Sequence, residues 1–507
     1  MLATTAWTKR PLQYLLEETD TFVTVAELVT SRGLITDTNG AKVLTLARAL
    51  SEHPRFHALS ITDNPGGNAM LSSDTMGTDL LYRGQEVIIH LSCKDWNRNA
   101  LESRCWSLAS EGFRNVLALS GDYPVTGFHG QAAPVFDTDS VGLLKLIAEL
   151  PNGKFFPGAV VSNYKKYERE VMPQYFKLAR KIRTGARFII NQIGYDARKM
   201  DELLKYMATH QMNVPTIANI FVLSAPAARY FHSGKIPGVT VTDRLLAVVE
   251  KQAASPDKGK SFLLEFAAKQ CAIARGLGYR GMYLGGHLRL EDYERILHLV
   301  DSYGPNDWRQ FAREIQFAQP DEFYYFEPEA GGTGLSSTQV NREYLRSKER
   351  PESAPLGYQL NRGVHRLAFE EGTAGFRVAR KLYQIAEQTP AVAKAMHAAE
   401  HLGKMLLFDC RDCGDCSLPE TAYLCPESQC AKNQRNGPCG GTHQGACELG
   451  DKQCIWARTY DRLKAFGEEE QMLDGPVIYK NGALRGTSAW ANAYLGRDHR
   501  GGKTTTS

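Results

Sequence analysis

Long apolar runs are missing from this sequence. Nowhere among its 507 residues does an uninterrupted apolar stretch approach the roughly 20 that a bilayer span requires. The opening residues, MLATTAWTKRPLQYLLEE, meet charge before a secretory apolar core can form. No membrane partner is therefore expected, and a cytoplasmic location is. A surplus of one charge is missing as well: Lys and Arg number 60 against 56 Asp and Glu, a net +4, and the basic residues are scattered. That excludes the concentrated positive face demanded by a phosphate backbone, so nucleic acid is not an expected partner. The glycine fingerprint GxGxxG is absent from the strand-to-helix turns, which argues against a separate nicotinamide-binding domain.

Cysteine is scarce over most of the chain and dense in one place. Of eleven, only Cys93, Cys105 and Cys271 lie outside residues 410–454, each in an apolar periodic stretch where a buried structural thiol is expected. The other eight are Cys410, Cys413, Cys416, Cys425, Cys430, Cys439, Cys447 and Cys454. In a reducing compartment such clustering points to metal ligation rather than disulfides.

From residue 21 to about 285, short β-branched runs alternate with amphipathic helical patterns. The predicted strands are 21–29, 56–62, 86–92, 115–121, 155–162, 187–193, 214–222 and 279–285. Repeated βα units require a parallel sheet, and eight of them predict an α/β fold closed into a (β/α)8 TIM barrel, with an open doubly wound sheet as the alternative. Residues 326–364 are rich in Gly, Ser, Pro and charge and read as a linker. The expected organisation is a barrel over 1–325, that linker, and a small cysteine-rich domain over 365–507, whose last residues, GGKTTTS, read as a frayed tail.

Catalytic groups of such barrels sit at the C-terminal ends of strands. Four polar residues fall there: Glu27 inside an apolar run, His90, Asp122 after Gly121, and Gln192. Each alone could be a satisfied buried polar group, but four at equivalent ends suggest a shared site.

The ordered segments VAEL, LSIT, IIHLSCKD, NVLALSGDYP and LARKIRTGARFIINQIGYD resemble the methylenetetrahydrofolate reductase family, flavoprotein TIM barrels that interconvert methylene- and methyltetrahydrofolate. The likeness spans about residues 20–290. ALSGDYP is similar to the family's ALRGDxP, and KIRTGARFIINQ to its KxxxGAxFxxxQ. The resemblance implies that Glu27 protonates the folate, a role needing a raised pKa and an apolar surround. It implies that Asp122 lies near the pterin and flavin and that Gln192 hydrogen-bonds the folate. It places Thr62, His90, Leu119, Ser120, Gly121, Phe136, Arg180 and Lys181 among the flavin contacts, with Arg180 and Lys181 suited to a diphosphate. Two departures bear on the cofactor: Ser120 replaces the arginine of RGD, and VVSNYKK replaces a proline-containing loop. FAD is the implied cofactor, with FMN as the alternative. NAD(P)H or a ferredoxin-type protein is the implied donor, and NAD(P)H would enter the folate's own mouth of the barrel.

The cysteine segment opens CxxCxxC and follows Cys425 with Pro426. Bacterial ferredoxins use this spacing because thiolates two residues apart on a tight turn reach separate irons, whereas zinc favours paired CxxC knuckles. A [4Fe-4S] cluster or zinc is therefore expected; Cys430, Cys439, Cys447 and Cys454 could complete a second four-ligand site with His443 as a reserve ligand, and the spacing does not fix which four group together. Gly437, Gly440, Gly441 and Gly445 allow close backbone approach. NQRNGPCGG, CIWARTYDR and TSAWANAYLGRDH resemble the C-terminal domain attached to some members of the same family. Lying far beyond the last strand, the segment is expected to be appended and to add nothing to the flavin site.

Two functions compete. One is a flavin-dependent methylenetetrahydrofolate reductase, a homo-oligomer acting on tetrahydrofolate derivatives, whose cysteine domain relays electrons or docks an electron-carrier protein. The other is a non-redox folate-binding methyltransferase barrel with a structural zinc domain.

Overall fold

The computed structural model describes residues 9–127, 130–151, 153–349, 352–450 and 452–501. The first eight residues of the opening stretch, and all of the expected tail but Gly501, lie outside them.

Eight parallel strands close into a barrel: β1 Val23–Leu28, β2 Ala58–Ile61, β3 Glu86–Ser92, β4 Asn115–Leu119, β5 Phe156–Val161, β6 Phe188–Asn191, β7 Thr216–Phe221 and β8 Gly281–Gly285. Each pairs with its sequence neighbours, and β8 returns to β1 with Val23 opposite Gly281. All eight lie within the predicted runs. The long gap before β8 holds three helices, Ala225–His232, Asp243–Gln252 and Lys260–Leu277. Inside the barrel, Val25, Ile88, Leu117, Ile190 and Ile217 form a packed core, and Phe156 stacks on Phe188 with centroids 5.2 Å apart. A Cβ at Gly158 would stand 2.3 Å from the Phe188 ring, so this strand position needs glycine.

The helix Leu12–Glu17 plugs the N-terminal end of the barrel with Leu12, Leu15 and Leu16. Its first turn is fixed by the buried Glu86 carboxylate, which accepts from Leu12 N at 3.0 Å and from Asn115 Nδ2 at 2.9 Å. With one end closed, the ligand-accessible face is the other. Cys93, Cys105 and Cys271 are fully buried under the surrounding helices, as expected of small apolar groups.

Residues 326–364 are not a structureless linker. They contain an antiparallel hairpin, Phe326–Pro328 with Ser336–Val340, the helix Arg342–Glu349 and the start of the helix Leu356–Ala368. Composition concealed this, because the segment is anchored by tertiary contacts rather than by its own apolar period. The anchor is a fully buried pair: Lys199 Nζ lies 3.1 Å from Glu202 Oε1 and donates to the Phe323 carbonyl. Glu202 also accepts from Tyr175 OH and from the backbone amides of Tyr325 and Phe326.

Removing one partner of such a pair leaves an uncompensated buried charge. Lys199→Met should lose about 3 kcal/mol in urea unfolding, with Lys199→Met/Glu202→Gln recovering part of it. Equal stability of single variant and parent would refute this anchoring role.

Candidate functional site

The C-terminal ends of the strands converge on one mouth. The Glu27 carboxylate at the end of β1 accepts from Tyr283 OH on β8 at 3.2 Å. That hydroxyl lies 3.5 Å from His90 Nε2, which in turn sits 2.8 Å from Ser60 Oγ. Gly285 makes room here, since its Cβ would meet Glu27 Oε2 at 2.6 Å. Burial pushes the Glu27 carboxyl up to about 7, against a smaller opposing pull from Tyr283. Burial also pushes His90 down to about 4, so its imidazole is neutral at physiological pH.

Asp122 reaches the same mouth from the loop after β4. Its carboxylate accepts from Gly66 N at 2.7 Å, and the loops touch so closely that a Cβ at Gly67 would stand 2.0 Å from the Tyr123 carbonyl. Gln192, just after β6, lines the mouth while its Oε1 accepts from Ile193 N.

Two cavities meet at Glu27 and Asp122. An open cleft of 1240 Å³ runs outward past Phe221, Tyr230, Lys235 and Arg289. An inner cavity of 260 Å³ is lined by Thr62, His90, Leu119, Ser120, Gly121, Lys181 and Gln192 among others. Of the expected flavin contacts, these six from Thr62 to Gly121 and Lys181 face one space. Two do not. Phe136 is buried against Tyr123, ring centroids 6.2 Å apart, with an unusual positive φ. Arg180 turns away to Asn436 Oδ1 and to the Pro476 carbonyl at 3.0 Å.

The cysteine segment forms part of this mouth, contrary to the expectation of a detached appendage. Lys432, Cys439, Gly440 and Gly441 line the inner cavity. Gln434 Oε1 accepts from Ser120 Oγ at 3.0 Å and from Lys177 Nζ at 3.1 Å. Lys432 Nζ donates to the Gly121 carbonyl at 2.9 Å and pairs with Glu448 at 2.6 Å. Lys165 Nζ donates to the carbonyls of Gly440 and Thr442, and Asp139 accepts from Asn436 N at 2.8 Å. Gly440, at φ +89, passes so near the barrel that its Cβ would meet Ser162 Oγ at 2.4 Å. No local pattern revealed these contacts, because the partners lie hundreds of residues apart. Tyr283 was discoverable, being a polar residue in the last predicted strand.

The eight thiols divide into two sets. Cys410, Cys413, Cys416 and Cys425 line one small cavity beside Lys404 and Arg435. Cys430, Cys439, Cys447 and Cys454 line another, and His443 does not. The four-residue helix Pro426–Gln429 separates the sets, capped at its ends by Cys425 and Cys430. Among the described residues, no group of three or more His, Cys, Asp or Glu side chains is arranged to hold a single metal ion. Burial pushes Cys416 up to about 11 and Cys430 up to about 12, so without a cation these are neutral, inert thiols.

Fold and site together define a ligand-binding (β/α)8 barrel whose mouth is roofed by a cysteine-rich unit of the same chain. Residues 35–288, half of the chain, match the family described as Methylenetetrahydrofolate reductase, and residues 389–481 match Methylene-tetrahydrofolate reductase C terminal. The chain belongs to the methylenetetrahydrofolate reductase family. It is 28% identical over 182 residues to methylenetetrahydrofolate reductase 2 of Saccharomyces cerevisiae, covering 34% of this chain and 30% of that one. It is 24% identical over 299 residues to methylenetetrahydrofolate reductase (NADH) 1 of Arabidopsis thaliana, covering 54% and 47%. The chain thus spans less than half the length of these curated relatives. A solved structure of an uncharacterized Clostridium thermocellum protein that binds two copies of 5-methyl-5,6,7,8-tetrahydrofolic acid aligns at TM-score 0.39 and 12% identity, over 55% of this chain and 94% of that one. That likeness is too loose to carry an argument.

The raised Glu27 pKa has a measurable sign. From its ordinary 4.5 up to about 7, the unfolded chain releases this proton while the folded chain keeps it, so folding is progressively disfavoured as pH rises through that window. Glu27→Gln lacks the ionisation. Its unfolding free energy should gain about 2 kcal/mol on the parent between about pH 5 and pH 8, a figure discounted for partial solvent access. A pH-independent difference would show that Glu27 titrates normally.

Proposed function

We propose that the protein interconverts 5,10-methylenetetrahydrofolate and 5-methyltetrahydrofolate by hydride transfer through a flavin in the barrel mouth, with the cysteine sets supplying electrons. The observation carrying this reading is that Glu27 and Asp122 stand where an open cleft meets a polar inner cavity. The cleft suits a substrate and the cavity a cofactor.

Lys181 supplies the test of fit. It is buried at the inner cavity, its amine donates to the Val160 carbonyl, and Ser120, Ser140 and Ser162 line the same cavity. Burial, with Lys177 nearby, pushes it down to about 7. A buried cation facing hydroxyls is a place for one phosphate. Arg180 and Lys177, which would be needed for a second phosphate and nucleoside, are engaged by Asn436, Pro476, Gln434 and Gly437. The residues therefore fit FMN better than FAD. A flavin bound there would supply the hydride chemistry that no side chain can perform.

The chain's own groups do the rest. Glu27, half protonated near neutrality, would deliver its proton to the folate nitrogen released as the methylene bridge opens, and Tyr283 fixes the carboxyl's orientation. Gln192 would orient the pterin, and Asp122, held by Gly66 N, would face both ligands. The charge around the thiols suits an anionic group in each set: Lys432, Lys165 and Lys177 are buried near Cys439, and Lys404 and Arg435 are buried by the first set. Three thiols at CxxCxxC spacing, with Cys425 followed by a proline, favour [4Fe-4S] clusters over single zinc ions, which more often use paired CxxC knuckles. The second set lies at the barrel mouth through Cys439 and so would be the immediate donor to the flavin.

Glu27→Gln tests the assignment. It should retain flavin and donor-driven flavin reduction while folate turnover falls at least about 100-fold, the usual scale for losing a general acid. Loss of flavin, or unchanged turnover, would overturn the role of Glu27.

A further inference from the structure

Three spaces meet at one ion pair in the roof of the barrel. The inner cavity and the cavity of the second cysteine set share a wall made of Lys432, Cys439 and Gly441. Glu448, the partner of Lys432, lines the cysteine cavity and the outer cleft. Both side chains are buried, at 5% and 6% exposure. One carboxylate oxygen ties the ammonium to a thiol: Glu448 Oε1 lies 2.6 Å from Lys432 Nζ and accepts from Cys439 Sγ at 3.5 Å. On its other side the same ammonium donates to the Gly121 carbonyl at 2.9 Å, next in sequence to Asp122. Lys165 and Lys177 also hold the seam, but among the described residues neither lines the inner cavity or the cysteine cavity.

Packing alone does not account for charge at this wall, because an ion pair buried so deeply adds little net stability over apolar side chains of the same size. The backbone nevertheless makes way for it. A Cβ at Gly441 would stand 2.1 Å from Glu448 Oε1, so glycine there admits the carboxylate. A charge held in a dry wall acts on whatever lies to either side of it. A cation favours the reduced, more negative form of a neighbouring redox group, and a carboxylate favours the oxidised form.

We propose that the Lys432–Glu448 pair sets the reduction potentials of the inner cavity's cofactor and of the second cysteine set together. The inference rests on the flavin and clusters of the proposed function. Neither residue exchanges electrons; both are positioning residues that act through their charge, Lys432 raising the two potentials and Glu448 holding that rise in check. Because one ammonium faces both sites, the two potentials move in the same direction.

Redox titration of the full cofactor-loaded chain tests this without turnover, with flavin followed by absorption and reduced clusters by electron paramagnetic resonance. Lys432→Met should lower the reduced-to-oxidised ratio about tenfold at both sites, about 59 mV for a one-electron cluster and about 30 mV for a two-electron flavin. Lys432→Arg should restore the parent values. Glu448→Gln keeps the cation and the shape of the wall, and should raise both potentials; it carries the test if loss of Lys432 opens the seam. A loaded parent whose flavin or cluster potentials stay unmoved in Glu448→Gln, or move in opposite directions, would overturn the inference alone. A parent chain without flavin or iron would overturn the proposed function and this inference with it.

Discussion

Lys165, Lys177 and Lys432 are buried between the barrel mouth and the cysteine segment, where each ammonium finds backbone or amide oxygens on the opposite side of the seam. Burying three cations costs several kcal/mol each unless every donor is satisfied, so the seam holds only as a complete set of bonds. Everything else about the mouth follows from it. The loop of Gly121 and Asp122 is held from above by Lys432 and from the side by Gly66, and Gln434 closes over Ser120. The fold has turned an open barrel end into an inner chamber and an outer cleft.

Burial pushes the Glu27 carboxyl up to about 7, the range that a general acid working near neutrality needs. The seam engages Arg180 and Lys177 and leaves the Lys181 amine facing the chamber. It also brings Cys439 to the chamber wall, so the second cysteine set and the chamber share a boundary. Electron supply from thiol-bound clusters would then need no separate docking event within the chain.

The barrel was readable because its strands are short β-branched runs at regular spacing, a signal carried within each segment. Glu27, Asp122 and Gln192 were readable for the same reason, as polar residues at strand ends. The seam was not. Lys432 reaches Gly121, and Asn436 reaches Asp139, across roughly 300 residues, and a lysine in a glycine-rich turn looks like any solvated charge. Residues 326–364 misled in the opposite direction, since their Gly, Ser and Pro content describes the turns of a hairpin that a distant ion pair, Lys199 with Glu202, holds in place. The spacing suggested the second set of four thiols without fixing it, and the fold lines one cavity with Cys410, Cys413, Cys416 and Cys425 and another with Cys430, Cys439, Cys447 and Cys454.

In the proposed function a flavin mononucleotide in the chamber adjoins cluster-forming cysteines. Cofactor analysis of anaerobically purified full-length chain tests it most directly. The expected result is FMN released on denaturation, with iron and acid-labile sulfide in matching amounts and a broad absorption near 400 nm that dithionite bleaches. A colourless protein containing zinc and no flavin would contradict it and would favour a non-redox folate-binding barrel with a structural metal domain.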